Sequence, residues 1–377
     1  MVTMELPLHV VHGRPFIELQ YRYGAHGPLS AWTWLDTGGG SVIFGNQLAR
    51  ALHLEPTGEP FAEEGARYTP VRAPTLVAND IELPLSDAPA IVVDRPCVGP
   101  AALQAPAFLP ARFFRQFTVT FDYPGRRLRL EAPEGMPDAA GGIGAAIYPS
   151  TAFVRVELEI MGERLGFLLD TGASYSMISE AVWQRWHAAH SHWPTTRGAY
   201  GYAQMTGSAD EGELGMIRVP EATLGDIRLS NPGFVTRPEG VFERYMSSMM
   251  TAPIVGALAG NVLRHLCLTI DYQRQRLHVR PEQTDCGQDL KALGLCLHTQ
   301  GPQCFVTAVS KAAHTTTRTQ VQPGDEVVAV GGYRLDGTDL TSAVEALCGV
   351  PGELLEVQVR RNATASNLQL PVVALLG

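Results

Sequence analysis

Asp36 and Asp170 each end a short apolar run and begin a turn of the same composition, in "TWLDTGGGSVI" (33–43) and "FLLDTGASYSMI" (167–178). Asp, Thr and Gly alone make ordinary turns. Two copies in one chain allow more. Two carboxylates brought close together cannot both ionise, so they hold one proton between them. The ionised partner can take a proton from a water lodged between the two, while the protonated partner donates to the carbonyl oxygen of an amide. Such a pair would hydrolyse a peptide bond with no covalent intermediate, metal or histidine. Leu35, Leu168 and Leu169 would give it a dry support, and Gly38 and Gly172 would let the backbone approach the carboxylates closely. The hydroxyls of Thr37 and Thr171 could bond across the two loops and hold them rigid.

The elements around these turns repeat as well. The aspartates lie 134 residues apart. Further on, "FLPARFFRQFTVTFDYPGRRLRL" (108–130) matches "ALAGNVLRHLCLTIDYQRQRLHV" (257–279), with Thr120, Asp122 and Tyr123 recurring 149 residues later as Thr269, Asp271 and Tyr272. The second copy therefore holds 15 more residues between its two matching blocks. Each half reads mostly as strand: "FVRVELEIMG" alternates with period two, and the two "DY" segments read as hairpins in which Asp122 and Asp271 are turn residues. A helix is predicted over 179–193 with Ser179 as its cap. "PEGMPDAAGGIGAAIYPS" reads as a linker with a Gly-rich hinge. The expected fold is mostly β, with two tandem lobes related by a pseudo-twofold axis that sets one Asp on each side of a cleft.

Both halves resemble the retropepsin-like and pepsin-like aspartic proteases, whose mark is two apolar residues followed by Asp-Thr-Gly-Ala/Ser. The pattern runs through residues 5–283, and "LLDTGAS" with the later "GNVLRHLCLTIDYQRQRL" resembles bacterial retropepsin-like domains in particular. The resemblance implies β-barrel lobes over 1–135 and 146–283, with Asp36 and Asp170 as the catalytic dyad of an endopeptidase. Thr37, Gly38, Thr171 and Gly172 would shape the site against a peptide or protein substrate, and a hairpin flap would close over it. Tyr68 and Tyr202, also 134 apart, are candidate flap tyrosines on the substrate side; exposed loop tyrosines are the plainer reading. One chain would suffice where viral relatives pair two, so a monomer is expected. Lobe one departs from the pattern: "DTGGG" predicts a looser loop, Pro110 and Ala259 stand where the family has Gly, and Arg112 replaces the Asn/Asp that Asn261 keeps. A non-catalytic peptide-binding protein with a degraded cleft is the alternative. A dimer pairing only the "DTGAS" turns is a third possibility.

From about residue 287 the texture changes. "LGLCL", "CFVTAV", "VQPGDEVVAVGGYRL", "TDLTSAVEALCG" and "ELLEVQVRRN" follow one another in an order that resembles a PDZ domain, an α+β unit over 287–377. The resemblance implies a groove in which the strand after "LGLCL" pairs with a peptide ligand, for substrate capture or regulation. Leu340, Val344 and Leu347 recur at helical spacing. Since the lobes hold both aspartates, a chain ending near Glu282 is expected to fold and cleave short peptides.

The remaining features exclude more than they add. A net charge of −9 argues against a nucleic-acid partner. No apolar run reaches the length of a membrane span, and the N-terminus lacks the pattern of a leader. A periplasmic or secreted site is expected if a leader was removed, otherwise a cytoplasmic one. The six cysteines match no zinc spacing, which leaves disulfides or buried free thiols, and the scarcity of Cys elsewhere in the chain favours disulfides. His187, His190 and His192 lack an acidic or Cys neighbour, so no metal and no cofactor is expected. No nucleophile elbow, "HExxH" or phosphate-binding Gly loop is present.

Overall fold

A computed structural model describes residues 3–63, 66–85, 88–98, 104–133 and 142–377, and they are mostly β. Residues 134–141 of the predicted linker lie outside the described residues. Period-two patterning builds the strands: in Val154–Ile160 the residues Val154, Val156, Leu158 and Ile160 are buried, while Glu157 and Glu159 are exposed.

Two ten-stranded sheets carry the repeat. The first orders its strands Phe61–Glu63, Ala66–Pro70, Ala90–Val93, Val42–Gly45, Ala107–Pro110, His26–Asp36, Arg14–Tyr23, Thr75–Ala78 and Ile81–Leu83, with His9–Val11 paired to Arg14–Tyr23. The second runs Thr195–Arg197, Gly215–Arg218, Gly233–Arg237, Met177–Ser179, Gly256–Leu258, Glu163–Leu169, Val154–Ile160, Glu221–Leu224 and Ile227–Ser230, with Ala146–Ile147 paired to Val154–Ile160. The orders correspond strand for strand. A third sheet, of six strands, joins the halves: Thr118–Asp122 pairs antiparallel with Leu266–Asp271, and Thr120 meets Thr269 at the centre of the register. Their hydroxyls lie 2.8 Å apart, so two residues matched in the sequence repeat touch at its axis. Asp122 accepts from Gly125 N, and Asp271 from the amides of Gln273 and Arg274, which makes both turn residues.

One hydrophobic core runs through these three sheets, and a second fills the C-terminal sheet around Leu297, Val306, Val327 and Val357. That sheet orders its strands Leu295–Gln300, Gln303–Val309, Glu326–Val330, Leu354–Arg361 and Thr364–Pro371, with Tyr333–Arg334 paired to Glu326–Val330. The α-helices are α1 (Asn46–Ala51), α2 (Ala111–Phe114), α3 (Glu180–Ala189), α4 (Gly260–Leu263), α5 (Thr315–Gln320) and α6 (Leu340–Ala346). Ser179 caps α3, accepting from Val182 N at 3.3 Å. The helix ends at Ala189 rather than 193, where the His190 ring stacks on Trp193 with centroids 4.2 Å apart.

Two expectations change. All six cysteines are free thiols, and Cys286, Cys296 and Cys304 are buried. They behave as small apolar core residues, Cys286 and Cys296 in the main core and Cys304 in the second. The C-terminal unit is also not a detached appendage. Leu375 and Leu376 enter the main core, and the buried Arg218 donates to Leu376 O at 2.5 Å and Asn231 O at 2.6 Å while pairing with Asp289. Removing residues 287–377 would strand that guanidinium in the second sheet.

Candidate active site

Each aspartate arrives at the end of a central strand. Leu35 lies opposite Leu109 in a parallel pair, and Leu169 lies opposite Leu258 in its counterpart. All four leucines are fully buried. The chain leaves both strands in a tight turn, and the two turns meet.

Thr37 and Thr171, neither exposed to solvent, lock them together. Thr37 N donates to Thr171 Oγ1 at 3.0 Å, and Thr171 N donates to Thr37 Oγ1 at 3.1 Å. Each hydroxyl in turn donates to a carbonyl before the other aspartate: Thr37 Oγ1 to Leu169 O at 2.6 Å, and Thr171 Oγ1 to Leu35 O at 3.0 Å. Four reciprocal bonds between buried groups fix one loop against the other. The glycines allow the approach. A Cβ on Gly172 would stand 2.1 Å from Asp36 Cγ, and one on Gly38 would stand 3.0 Å from Asp170 Cγ.

Asp36 and Asp170 are half-buried, and each shifts the titration of the other. Asp36 Oδ1 accepts from Gly38 N at 2.6 Å. Asp170 Oδ1 accepts from Gly172 N at 2.9 Å and Ala173 N at 3.0 Å. Burial pushes both carboxyls above the ordinary carboxylate range, Asp36 well above it because the Asp170 charge adds to the effect. Two amides on Asp170 against one on Asp36 favour the ionised form of Asp170. Asp36 is therefore the member that keeps the proton.

Two arginines near the pair escape a reading by motif. The Arg14 guanidinium lies over the Trp34 ring at 5.4 Å and near both carboxylates. Burial lowers its pKa to about 10, against the pull of Asp170 and Asp36. Its signal is the hairpin register: Phe16 pairs with Trp34, and the same register carried two residues on would set Arg14 opposite Asp36. Arg237, buried on Gly233–Arg237, is also lowered by burial and offset by Glu211 first and Asp170 second.

The tyrosines do not join the dyad. Tyr68 lies on the hairpin of Phe61–Glu63 and Ala66–Pro70, its ring stacked on Phe61 with centroids 5.6 Å apart. That hairpin stands where a flap is expected, but its residues 64–65 lie outside the described ones. Tyr202 sits in a 3-10 turn, Gly201–Ala203, and stacks on His12 at 3.8 Å. In the second half the matching strands, Thr195–Arg197 and Gly215–Arg218, still pair antiparallel, but a longer irregular segment, 198–214, joins them, and this is where its extra residues went. Among the described residues no group of three His, Cys, Asp or Glu could hold a metal ion. Nor is any helix among them long and apolar enough to cross a membrane.

The family model of aspartyl proteases matches residues 156–256, which include Asp170. Among solved structures, an aspartic proteinase from Irpex lacteus is 10% identical, with 77% of this chain and 100% of that one covered at a TM-score of 0.43. The PDZ domain of the carboxy-terminal protease from Vibrio cholerae, in complex with peptide, is 16% identical over 22% of this chain and 93% of its own, at a TM-score of 0.21. A photosystem II D1 C-terminal processing protease is 20% identical over 22% of this chain and 23% of its own, also at 0.21. A search of curated proteins found no match.

Proposed function

We propose that this chain is a single-chain aspartic endopeptidase whose lobes, 1–135 and 146–283, contribute one catalytic aspartate each and whose PDZ-like domain, 287–377, serves substrate capture or regulation. The observation that carries the reading is the reciprocal lock of Thr37 and Thr171, which brings together two aspartates from opposite halves of one chain. In the reaction, Asp170 carboxylate takes a proton from the bridging water as that oxygen attacks the amide carbon. Asp36 gives its proton to the carbonyl oxygen, forming a tetrahedral diol. The diol returns a proton to Asp36, Asp170 passes its own to the amide nitrogen, and the C–N bond breaks. Arg14 steadies the negative charge that the pair carries throughout. Gly38, Thr37, Gly172 and Thr171 shape the floor of the cleft, and Tyr68 on the first-half hairpin is the better placed of the two tyrosines to meet a substrate.

Cleavage of a peptide library between pH 3 and 8 tests the proposal, with Asp170→Asn as control. Activity should concentrate on the acid side, because one carboxyl must stay protonated, and the Asn variant should be silent. A folded protein that cleaves nothing at any pH would leave the non-catalytic peptide-binding reading in its place.

A further inference from the structure

Leu295–Gln300 is the edge of the C-terminal sheet, paired on one side only with Gln303–Val309. An edge strand offers outward N–H and C=O groups to any extended chain. Here they are already taken, by the insertion of the second half. Gln204, buried, donates Nε2 to Leu297 O at 2.7 Å and accepts from Leu297 N at 3.1 Å through Oε1. Two residues along, Thr299 N donates to Gly207 O at 3.0 Å, and His298 Nδ1 lies 2.9 Å from the same oxygen. Leu297 and Thr299 have the spacing at which one edge of a strand addresses its partner. The opposite wall is α6: the turn Gly201–Ala203 packs against it, and Leu340 Cδ1 lies 3.4 Å from where a Gly207 Cβ would stand.

The segment is braced from behind. The buried Glu211 carboxylate accepts from Met205 N at 2.7 Å, Thr206 N at 3.2 Å and Gly207 N at 3.0 Å, and lies 3.7 Å from Arg237. Arg237 Nε in turn contacts Met177 Sδ at 3.1 Å, at the start of the strand that follows the Asp170 loop.

We infer that the groove between Leu295–Gln300 and α6 is a strand-addition site closed in cis by residues 204–207, and that an extended peptide pairing with Leu297 and Thr299 displaces this segment. At Leu297 a side-chain amide stands in for main chain. A true strand would replace every bond the segment gives up and extend the ladder along the edge. Its release would loosen the insertion that occupies the flap position of the second half, making peptide binding a control on the cleft. That consequence rests on the proposed protease reading; the displacement itself does not.

The probe is a fluorescein-labelled hexapeptide of alternating Thr and Val, added to the full chain while amide exchange is followed. Residues 204–207 should lose protection as Leu297 and Thr299 keep theirs. Binding with 204–207 still protected would overturn the inference, and so would no binding to any variant below. Gln204→Ala removes two bonds and should tighten the peptide about 10-fold. Gly207→Ala puts a Cβ 3.0 Å from Thr299 Oγ1 at a φ of +66° and should act in the same direction while every residue of the receiving strand stays unchanged. Unchanged or weaker affinity in the folded variants would contradict closure in cis. Loss of protection on peptide addition in a chain that cleaves nothing would uphold this inference and sink the protease reading alone.

Discussion

The two aspartate loops differ where the rest of the repeat agrees. In the second half, Asn261 accepts from Ser176 N at 2.8 Å and Ser176 Oγ at 2.7 Å and donates to Gly233 O at 3.0 Å, all buried. At the matching positions of the first half stand Val42, fully buried, and Arg112, which donates to Ser150 O instead. A polar buttress has been exchanged for an apolar one. The residue after the first glycine changes in the same spirit. Ala173 and Ala257 hold the positions that match Gly39 and Phe108 in the repeat, and the Phe108 ring would lie 2.3 Å from a Cβ at position 39. The second glycine of "DTGGG" therefore answers a larger partner across the loop. The lesson is that a departure from a family pattern can be compensated packing rather than decay.

The largest expected effect concerns what the second half leans on and the first does not. A chain ending at Glu282 loses Asp289 and Leu376 O, both partners of the buried Arg218. An unpaired buried charge costs about 3–5 kcal/mol, so the second half should melt first, as hydrogen exchange resolved by region would record. A truncated chain with both halves equally protected would show that the attachment is incidental.

The buttresses sharpen the comparison next. Asn261→Ala leaves the Ser176 amide and hydroxyl and the Gly233 carbonyl without their partner, a loss of about 2–3 kcal/mol in urea unfolding. Arg112→Ala, at a half-exposed position, should shift stability by about 1 kcal/mol or less. Comparable losses would mean the two halves are supported alike after all. The smallest and most local effect is a coupling. Gly39→Ala alone should destabilise by about 1–3 kcal/mol through overpacking. Combined with Phe108→Ala, much of that penalty should vanish, and a double-mutant cycle would read the difference. Additive effects would separate Gly39 from Phe108.

The meeting of the two Asp-Thr-Gly turns was legible because the same few residues occur twice, at the ends of strands whose apolar patterning is itself regular. The strand-for-strand match of the two sheets follows from those repeats, and the edge-strand order of the C-terminal unit from its turns and its short apolar helix. What escaped has no local signal. Arg14 reaches the dyad through hairpin register, and Phe108 shapes position 39 from a distant strand. Gln204 is a single polar residue in an irregular insertion, and only the fold sets its amide on Leu297. The cysteines misled because neither scarcity nor an even count says anything of proximity, while burial among apolar neighbours already satisfies a thiol.

Asp36→Asn measured beside Asp170→Asn tests the central claim most directly. Both side chains keep their shape, so both variants should fold, and each should lose about 10²–10⁴-fold or more in kcat on the best library peptide, to the same floor. Equal silence is the result expected of one intramolecular pair. Full activity in Asp36→Asn, with none in Asp170→Asn, would show that the first loop takes no part in the chemistry and would contradict the account.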